Sequence, residues 1–564
     1  MLGSRQGISR IDWRLKAALA ATTILTSGLV DTAWAQVAGQ VTPPPVRRPI
    51  DGNGVDVARG AFVSSEPDLS IGGGGTHGLS YQRSTDGVTT TLGTIEVVGA
   101  TTIVTIDGRS DSFTPSGSNY VSTEGEGATL VLAGGIYTYT SRNGVSARFA
   151  SNTGYVYSFY EGEIARLGSV TYPDGTSRTT AMKVQTYCPS GYENQVCQGP
   201  LYYVGRLQSV TNSNGYQLKF SYASNATKVS DVNYADWGRV TSVTAINNAV
   251  EYCDPAANTC TLTGNWPKLT FAENPVRTVA DPLGRVTQYS ATSNTYQIKR
   301  PGASADNVVV TLDTGNGRVQ STSIEGVTHS YAYADAGNTR TTTVTNPNGG
   351  QKVYVSDLAT FLLSSFKDEL NRTTSYTYDA SGRTTQVTYP EGNKVQYTYD
   401  ARGNVTLSRA ISKTPGTPAD IVTSAAFPAS CTSQITCNKP TSTTDAKGNV
   451  TDITYDATHG GALTVTAPAP VAGGIRPQSR YSYTAFGSIY RLTATSVCQT
   501  TASCAGAADE VKTTIVYGGS NSYVTSLTSG SGNGALTATV AATYDNYGNR
   551  LTVDGPLAGT ADTT

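Results

Sequence analysis

Tyr376-Thr377-Tyr378-Asp379-Ala380-Ser381-Gly382-Arg383 and, 21 residues on, Tyr397-Thr398-Tyr399-Asp400-Ala401-Arg402-Gly403-Asn404 decide the fold. Side chains alternate along a strand, so Tyr-x-Tyr puts two rings on one face. Asp-x-x-Gly is a type I turn: Asp caps the first position and Gly takes a left-handed fourth. That glycine makes a G1-bulge hairpin whose twist suits the flanking strands. The following strand ends at Tyr389-Pro390-Glu391-Gly392, a second turn with proline where a fixed φ is wanted. One unit is therefore strand, turn, strand, turn.

Further copies lie on both sides. Tyr331-Ala-Tyr333 leads to Gly337, Tyr481-Ser-Tyr483 to Gly487, Tyr544 to Gly548 and Tyr234 to Gly238, each with the tyrosine four residues before the glycine. Asp281-Pro-Leu-Gly284 and Asp445-Ala-Lys-Gly448 keep the turn without the tyrosine. Tyr172-Pro-Asp-Gly175 and Asn346-Pro-Asn-Gly349 repeat the second turn. The expected repeat turns are thus centred on Gly284, Gly337, Gly382, Gly403, Gly448, Gly487 and Gly548. Single hairpins are barely stable, but stacked ones share a sheet and a tyrosine ladder. Tyrosine suits a half-buried face. The expected fold class is all-β: stacked hairpins in a spiralling sheet with one solvated side, without a thick dry core.

Composition agrees. Of 564 residues only 14% are charged, and 40 Lys+Arg against 41 Asp+Glu leave a net charge of −1. No basic patch points to nucleic acid or an anionic membrane. Gly is 59, and Tyr is 34 against 10 Phe, the profile of short strands joined by glycine turns with almost no helix. At the N-terminus, Arg5, Arg10, Arg14 and Lys16 precede the apolar run Ala17 to Val30, then Ala33-Trp34-Ala35. This reads as a signal peptide over 1–35, cleaved between Ala35 and Gln36. The apolar run is too short to span a bilayer and no later run is apolar enough. The expectation is an exported chain in the periplasm, at the cell surface or secreted. Eight cysteines fall into four close pairs, Cys188/Cys197, Cys253/Cys260, Cys431/Cys437 and Cys498/Cys504. In an exported chain they read as four local disulfides tying off loops. Zinc-knuckle gaps and adjacent histidines are both missing, so no metal is assigned.

Catalytic chemistry is harder to find. His77, His329 and His459 lie far apart, and in a stacked repeat distant residues rarely converge. No nucleophile elbow, zinc-protease or Walker pattern occurs. Gly73-x-Gly75-x-x-Gly78 fits the dinucleotide fingerprint formally but opens a strand instead of the required helix. No catalytic residue and no cofactor is assigned, and an enzyme is the most distant reading. Residues 408–440 and 462–478 read as surface excursions from the sheet.

Tyr-Asp-x-x-Gly-Arg/Asn at this spacing resembles the YD repeat of RHS proteins. Gly54-Val-Asp-Val-Ala-Arg-Gly60-Ala-Phe62, Asp68-Leu-Ser-Ile71 and Gly78-Leu-Ser-Tyr81-Gln-Arg83 resemble the start of the RHS N-terminal region. The resemblance runs from about residue 51 to the end. It implies a Pro-rich linker over 36–50, an N-terminal β region over 51–165 and a repeat array over 166–564. It also implies hairpins wound into a hollow β-shell, which encloses a toxin in the polymorphic toxins and serves adhesion, with sugar contacts, in cell-surface members. The family's shell closes with a C-terminal core bearing Asp-Pro-x-Gly-Leu, where an autoprotease acts. Nothing like it follows Asn549, and Asp281-Pro-Leu-Gly284 continues as an ordinary repeat. The sequence therefore reads as a shell N-terminus, a truncated product or one piece of a split system. The function expected from the resemblance is a non-enzymatic exported scaffold for toxin encapsulation or delivery, partnered by a toxin cargo or a C-terminal chain. The alternative is a cell-surface adhesion or carbohydrate-binding protein with a surface glycan as ligand.

Overall fold

The computed structural model describes residues 49–63, 65–84, 93–107, 109–117, 119–125, 127–151, 163–188, 202–230, 232–273, 277–498, 501, 504–557, 559 and 562–564. The signal peptide with Ala35 and Gln36, nearly all of the 36–50 linker, and Cys197 lie outside the described residues.

The chain is all-β. From Thr94 to Asp554 almost every strand pairs antiparallel with its successor. The first eight of these strands close on themselves. The strand Glu163–Thr171 pairs back onto Thr94–Val98 through Ala165↔Ile95 and Arg166↔Thr94. Its far half, Ser169 to Thr171, pairs onward with Ser177–Cys188. One strand thus ends a closed ring and begins the open repeat sheet. The ring is filled by Ile95, Phe113, Leu130, Tyr139 and Phe149, all essentially buried. This corrects the expectation that no thick dry core exists. In a small closed ring the alternate side chains of every strand point to one interior and fill it; the alternating burial of Thr101–Ile106 and Ile136–Thr140 shows the pattern.

Two short N-terminal hairpins stand apart from this sheet and lie on its tyrosine face. Val55 and Val57 pack with Ile298, Val310, Tyr331 and Val344. Leu69, Ile71 and Leu79 pack with Leu218, Phe220 and Val243. Polar bonds fix the first hairpin: Tyr331 donates to Asp51 at 2.7 Å, and Arg340 and Thr342 donate to the carbonyls of Ala58 and Val57 at 2.8 and 2.7 Å.

The repeat turn is built from one aspartate. In Asp379–Arg383, the Gly382 N–H donates to the Asp379 carbonyl and the Asp379 N–H to the Arg383 carbonyl. Oδ1 of Asp379 accepts the N–H groups of Ser381 and Arg383, and Oδ2 accepts Arg383 Nε at 2.6 Å. Asn404 replaces that arginine at Asp400, donating Nδ2 to Oδ2 at 2.8 Å. This explains why the residue after the glycine is Arg or Asn. All seven expected turn glycines lie in the left-handed region, with φ from +58° to +89°. The sequence reading passed over one further copy, Asp368-Glu-Leu-Asn371-Arg372. There Asn371 takes the glycine's place at φ +61°, as asparagine can.

Three turns depart from that plan. Gly337 and Gly487 sit in two-residue hairpins, with Ala336↔Thr339 and Phe486↔Ile489 as closing pairs. The supposed turn at Gly238 is the last residue of a short helix, Tyr234–Gly238. Its aspartate, Asp236, stands two residues before the glycine instead of three, so the Asp-x-x-Gly cap cannot form. Trp237 is driven inside instead and stacks on the Arg206 guanidinium at 4.6 Å.

Several hairpins also complete their predecessors. Past the turn the strands carry a β-bulge that skips one residue, Ser364, Thr385, Thr406, Thr493 or Thr525. A bulge frees carbonyls that the ladder would otherwise use. The carbonyl just before the skipped residue accepts a tyrosine hydroxyl from the next hairpin: Tyr378 to Leu363 and Tyr399 to Thr384, both at 2.6 Å, Tyr517 to Leu492 and Tyr544 to Val524, both at 2.9 Å. In several bulges the skipped residue's own hydroxyl caps the opposite carbonyl, as Ser364 does for Val355 and Thr406 for Thr398. The excess of tyrosine over phenylalanine follows, because phenylalanine lacks the donor.

Disulfides join Cys253 to Cys260, Cys431 to Cys437 and Cys498 to Cys504. Cys188 is also disulfide-bonded. The Cys253–Cys260 loop wraps the Lys219 ammonium, which donates to the carbonyls of Asp254, Pro255 and Ala257. The two supposed excursions also contribute strands to the wall, Val405–Ile411, Ile421–Ala426 and Ala462–Thr466, with most of their remaining residues in the connections between strands. The loop holding Cys431 and Cys437 is no bland surface either. Gln434 donates to the Gly127 carbonyl and Asn438 to the Arg142 carbonyl, both at 2.7 Å, on loops of the closed ring.

Candidate functional site: the seam between early and late hairpins

The spiral brings residues roughly 260 to 310 positions apart into contact, and the densest such contact is polar. Asn212 and Asn214 belong to the turn before Tyr216, Asn247 to the end of the strand Val240–Asn247, and Asn521 to the turn before Tyr523–Ser531. Asn247 and Asn521 exchange side-chain amide bonds at 2.9 and 3.0 Å. Asn521 also donates to the Asn214 carbonyl at 2.6 Å, and Asn247 to the Asn546 carbonyl at 3.0 Å. Arg491 donates to Asn214 Oδ1 at 2.9 Å. Backbone joins backbone where the Tyr490 N–H meets the Asp174 carbonyl at 2.7 Å.

The glycine loop after Ile71 is the third side of this seam. Asn212 and Asn214 both hold the His77 carbonyl, at 2.9 and 3.0 Å. The His77 ring lies between Tyr216 and Tyr523, with centroids 6.1 and 5.2 Å away. Burial and the neighbouring Arg491 push its pKa down to about 4, so the ring is neutral near pH 7. Fit is close on the backbone side too. A Cβ on Gly175 would stand 1.8 Å from the Ser488 carbonyl oxygen. Asparagine amides suit such a join, because each offers two donors and an acceptor without a charge to desolvate.

The sequence expected distant residues not to converge; His77 and Arg491, 414 positions apart, do. The reason is the winding, which sets the turns of one layer on those of another. The three histidines themselves stay apart. His459 packs between Tyr483 and Tyr490 with its pKa lowered by burial, and His329 sits in the strand Val327–Ala336. Among the described residues no cluster of His, Cys, Asp and Glu could hold a metal. None of their helices is long and apolar enough to cross a membrane. The expected turn glycines divide: Gly403 and Gly548 lie at such layer contacts, Gly382 has only the Leu362 side chain near where a Cβ would be, and Gly284, Gly337, Gly448 and Gly487 have open space there. Sequence reasoning missed Asn214, Asn247, Asn521 and Arg491. The one available signal was Asn212-Ser-Asn214-Gly215, a turn with more asparagine than a turn needs.

Fold and seam together define a class: a β-hairpin repeat scaffold whose wall winds until its late turns rest on its early ones. Residues 362–394 and 379–410 match the RHS Repeat family, so this stretch of the wall carries RHS repeats. The crystal structure of TcdB2-TccC3-Cdc42 is similar at 11% identity over 99% of this chain and 30% of that chain, with a TM-score of 0.36. The crystal structure of TcdB2-TccC3 is similar at 11% identity over 86% and 27%, with a TM-score of 0.32. This chain therefore spans less than a third of those chains. No curated protein matches it.

Proposed function

We propose that this chain, exported and divided as a 51–165 N-terminal region and a 166–564 repeat array, builds wall for an RHS-type shell in a toxin encapsulation or delivery system. The seam carries this reading. A hairpin array that only formed an open ribbon would leave its turns in solvent, whereas here the late turns are hydrogen-bonded to the early ones through Asn214, Asn247 and Asn521. That contact turns a ribbon into a wall with layers. The work of such a wall is enclosure, with a cargo or a C-terminal partner chain supplying the activity. The test fuses a folded reporter after Thr564 and adds protease. Slower digestion of the fused reporter than of the free one, lost on Asn521→Ala, supports an enclosing wall. Equal digestion overturns encapsulation by this chain and leaves surface adhesion as the reading.

A further inference from the structure

The hairpin Lys394–Tyr399 and Val405–Ile411 carries a cleft on the face away from its tyrosines. Lys394 is paired with Ile411 and Gln396 with Arg409 across the ladder, so these four side chains share a face opposite Tyr397. The connection from Ser412 to Asp420 folds beside that face and encloses about 500 Å³, lined by Lys394, Gln396, Arg409, Lys413 and Asp420 among others. The loop is tied in place, since the Ser412 hydroxyl donates to the carbonyls of Thr414 and Thr417. Arg409 is oriented by its Nε bond to Asp420 at 2.6 Å. Lys394 and Lys413 have no hydrogen bond or ion pair with any described residue. Three cations thus face one carboxylate, in a chain whose overall charge is −1. Positive charge collected around a concavity on a neutral molecule is unbalanced until an anion enters. Arg409 offers planar N–H donors and the lysines mobile point charges, a set that fits a tetrahedral oxyanion.

We propose that this cleft binds a small phosphate-bearing molecule through Lys394, Arg409 and Lys413, a site independent of the enclosing role. The test is calorimetric titration of the full chain with inorganic phosphate and, separately, with glucose 6-phosphate, at constant ionic strength set with chloride. The expected result is saturable binding of at least one probe, weakened about tenfold or more in Lys394→Ala/Lys413→Ala. Binding should be retained in Lys394→Arg, and unchanged in Lys447→Ala, which removes a lysine from the turn Asp445–Asn449. Tighter binding of glucose 6-phosphate assigns the volume beyond the phosphate to an organic ester; equal binding assigns the site to the free ion. Absence of saturable binding for both probes, or equal binding by the double variant, overturns the proposal.

Discussion

Replacing Gly175 by alanine separates two demands that a turn glycine can face. Gly175 and Gly349 occupy the same kind of turn, at φ +82° and +83°. An alanine at either position bears the left-handed strain, roughly 1–2 kcal/mol. Their surroundings differ. Around Gly349 nothing lies within 4 Å of a built Cβ, while at Gly175 that atom falls 1.8 Å from the Ser488 oxygen and 2.8 Å from its carbonyl carbon. The obstacle is backbone, so no rotamer change relieves it, and the seam must part. Overpacking of this sort adds about 1–3 kcal/mol. Gly175→Ala should therefore cost about 2 kcal/mol more than Gly349→Ala in urea unfolding. It should also speed amide exchange at 489–491 and 519–523, whereas Gly349→Ala leaves those segments protected. Equal losses in the two variants, with unchanged exchange at the seam, would refute the argument that late turns bear on early ones.

His77 gives a pH test of the same seam. Its pKa of about 4 when folded, against 6.5 when exposed, means the unfolded chain binds more protons between those values. Its contribution is complete above pH 6.5 and is lost as pH falls toward 4, about 2.5 kcal/mol by pH 4.5. His77→Gln should flatten the difference between denaturation at pH 7.5 and 4.5; an unchanged difference assigns the acid sensitivity elsewhere. Tyr378→Phe strands the Leu363 carbonyl and should cost about 1–3 kcal/mol, whereas Tyr376→Phe, whose hydroxyl bonds no described residue, should cost little in the same urea titration. Replacing Cys431 and Cys437 by serine opens a short loop worth about 2 kcal/mol. It should raise protease sensitivity around Gln434, and unchanged cleavage would show that the contacts to Gly127 and Arg142 hold the loop alone.

The repeat was legible because its chemistry is local. Asp379, Gly382 and Arg383 make their bonds within five residues, so their spacing is the structure. The same locality marks where reading failed. Tyr234 and Gly238 have the right separation, but Asp236 is one place out, and that single shift exchanges a hairpin for a helical turn. Asn371 hides its turn because the other copies mark the left-handed position with glycine. The ring core escaped notice because closure depends on Glu163–Thr171 finding Thr94–Val98, a pairing no short pattern encodes. Asn247 and Asn521 show the limit most plainly. Each reads as a turn residue, and only the pitch of the winding makes them partners.

The hydroxyl of Tyr378 reaches back 15 residues to Leu363, and that of Tyr399 reaches back equally far to Thr384. This gives the array a direction of assembly. In these tyrosine joints the carbonyl freed by a bulge is satisfied by the unit made after it. A chain emerging N-terminus first can therefore settle one unit at a time, each newcomer finishing the last. The same asymmetry sets the rule for editing the array. Removing a whole unit rejoins a tyrosine to an equivalent carbonyl, whereas cutting within a unit orphans one of the pair. The joint between copies is thus fixed locally, while the seam between Asn247 and Asn521 fixes how many copies lie between them.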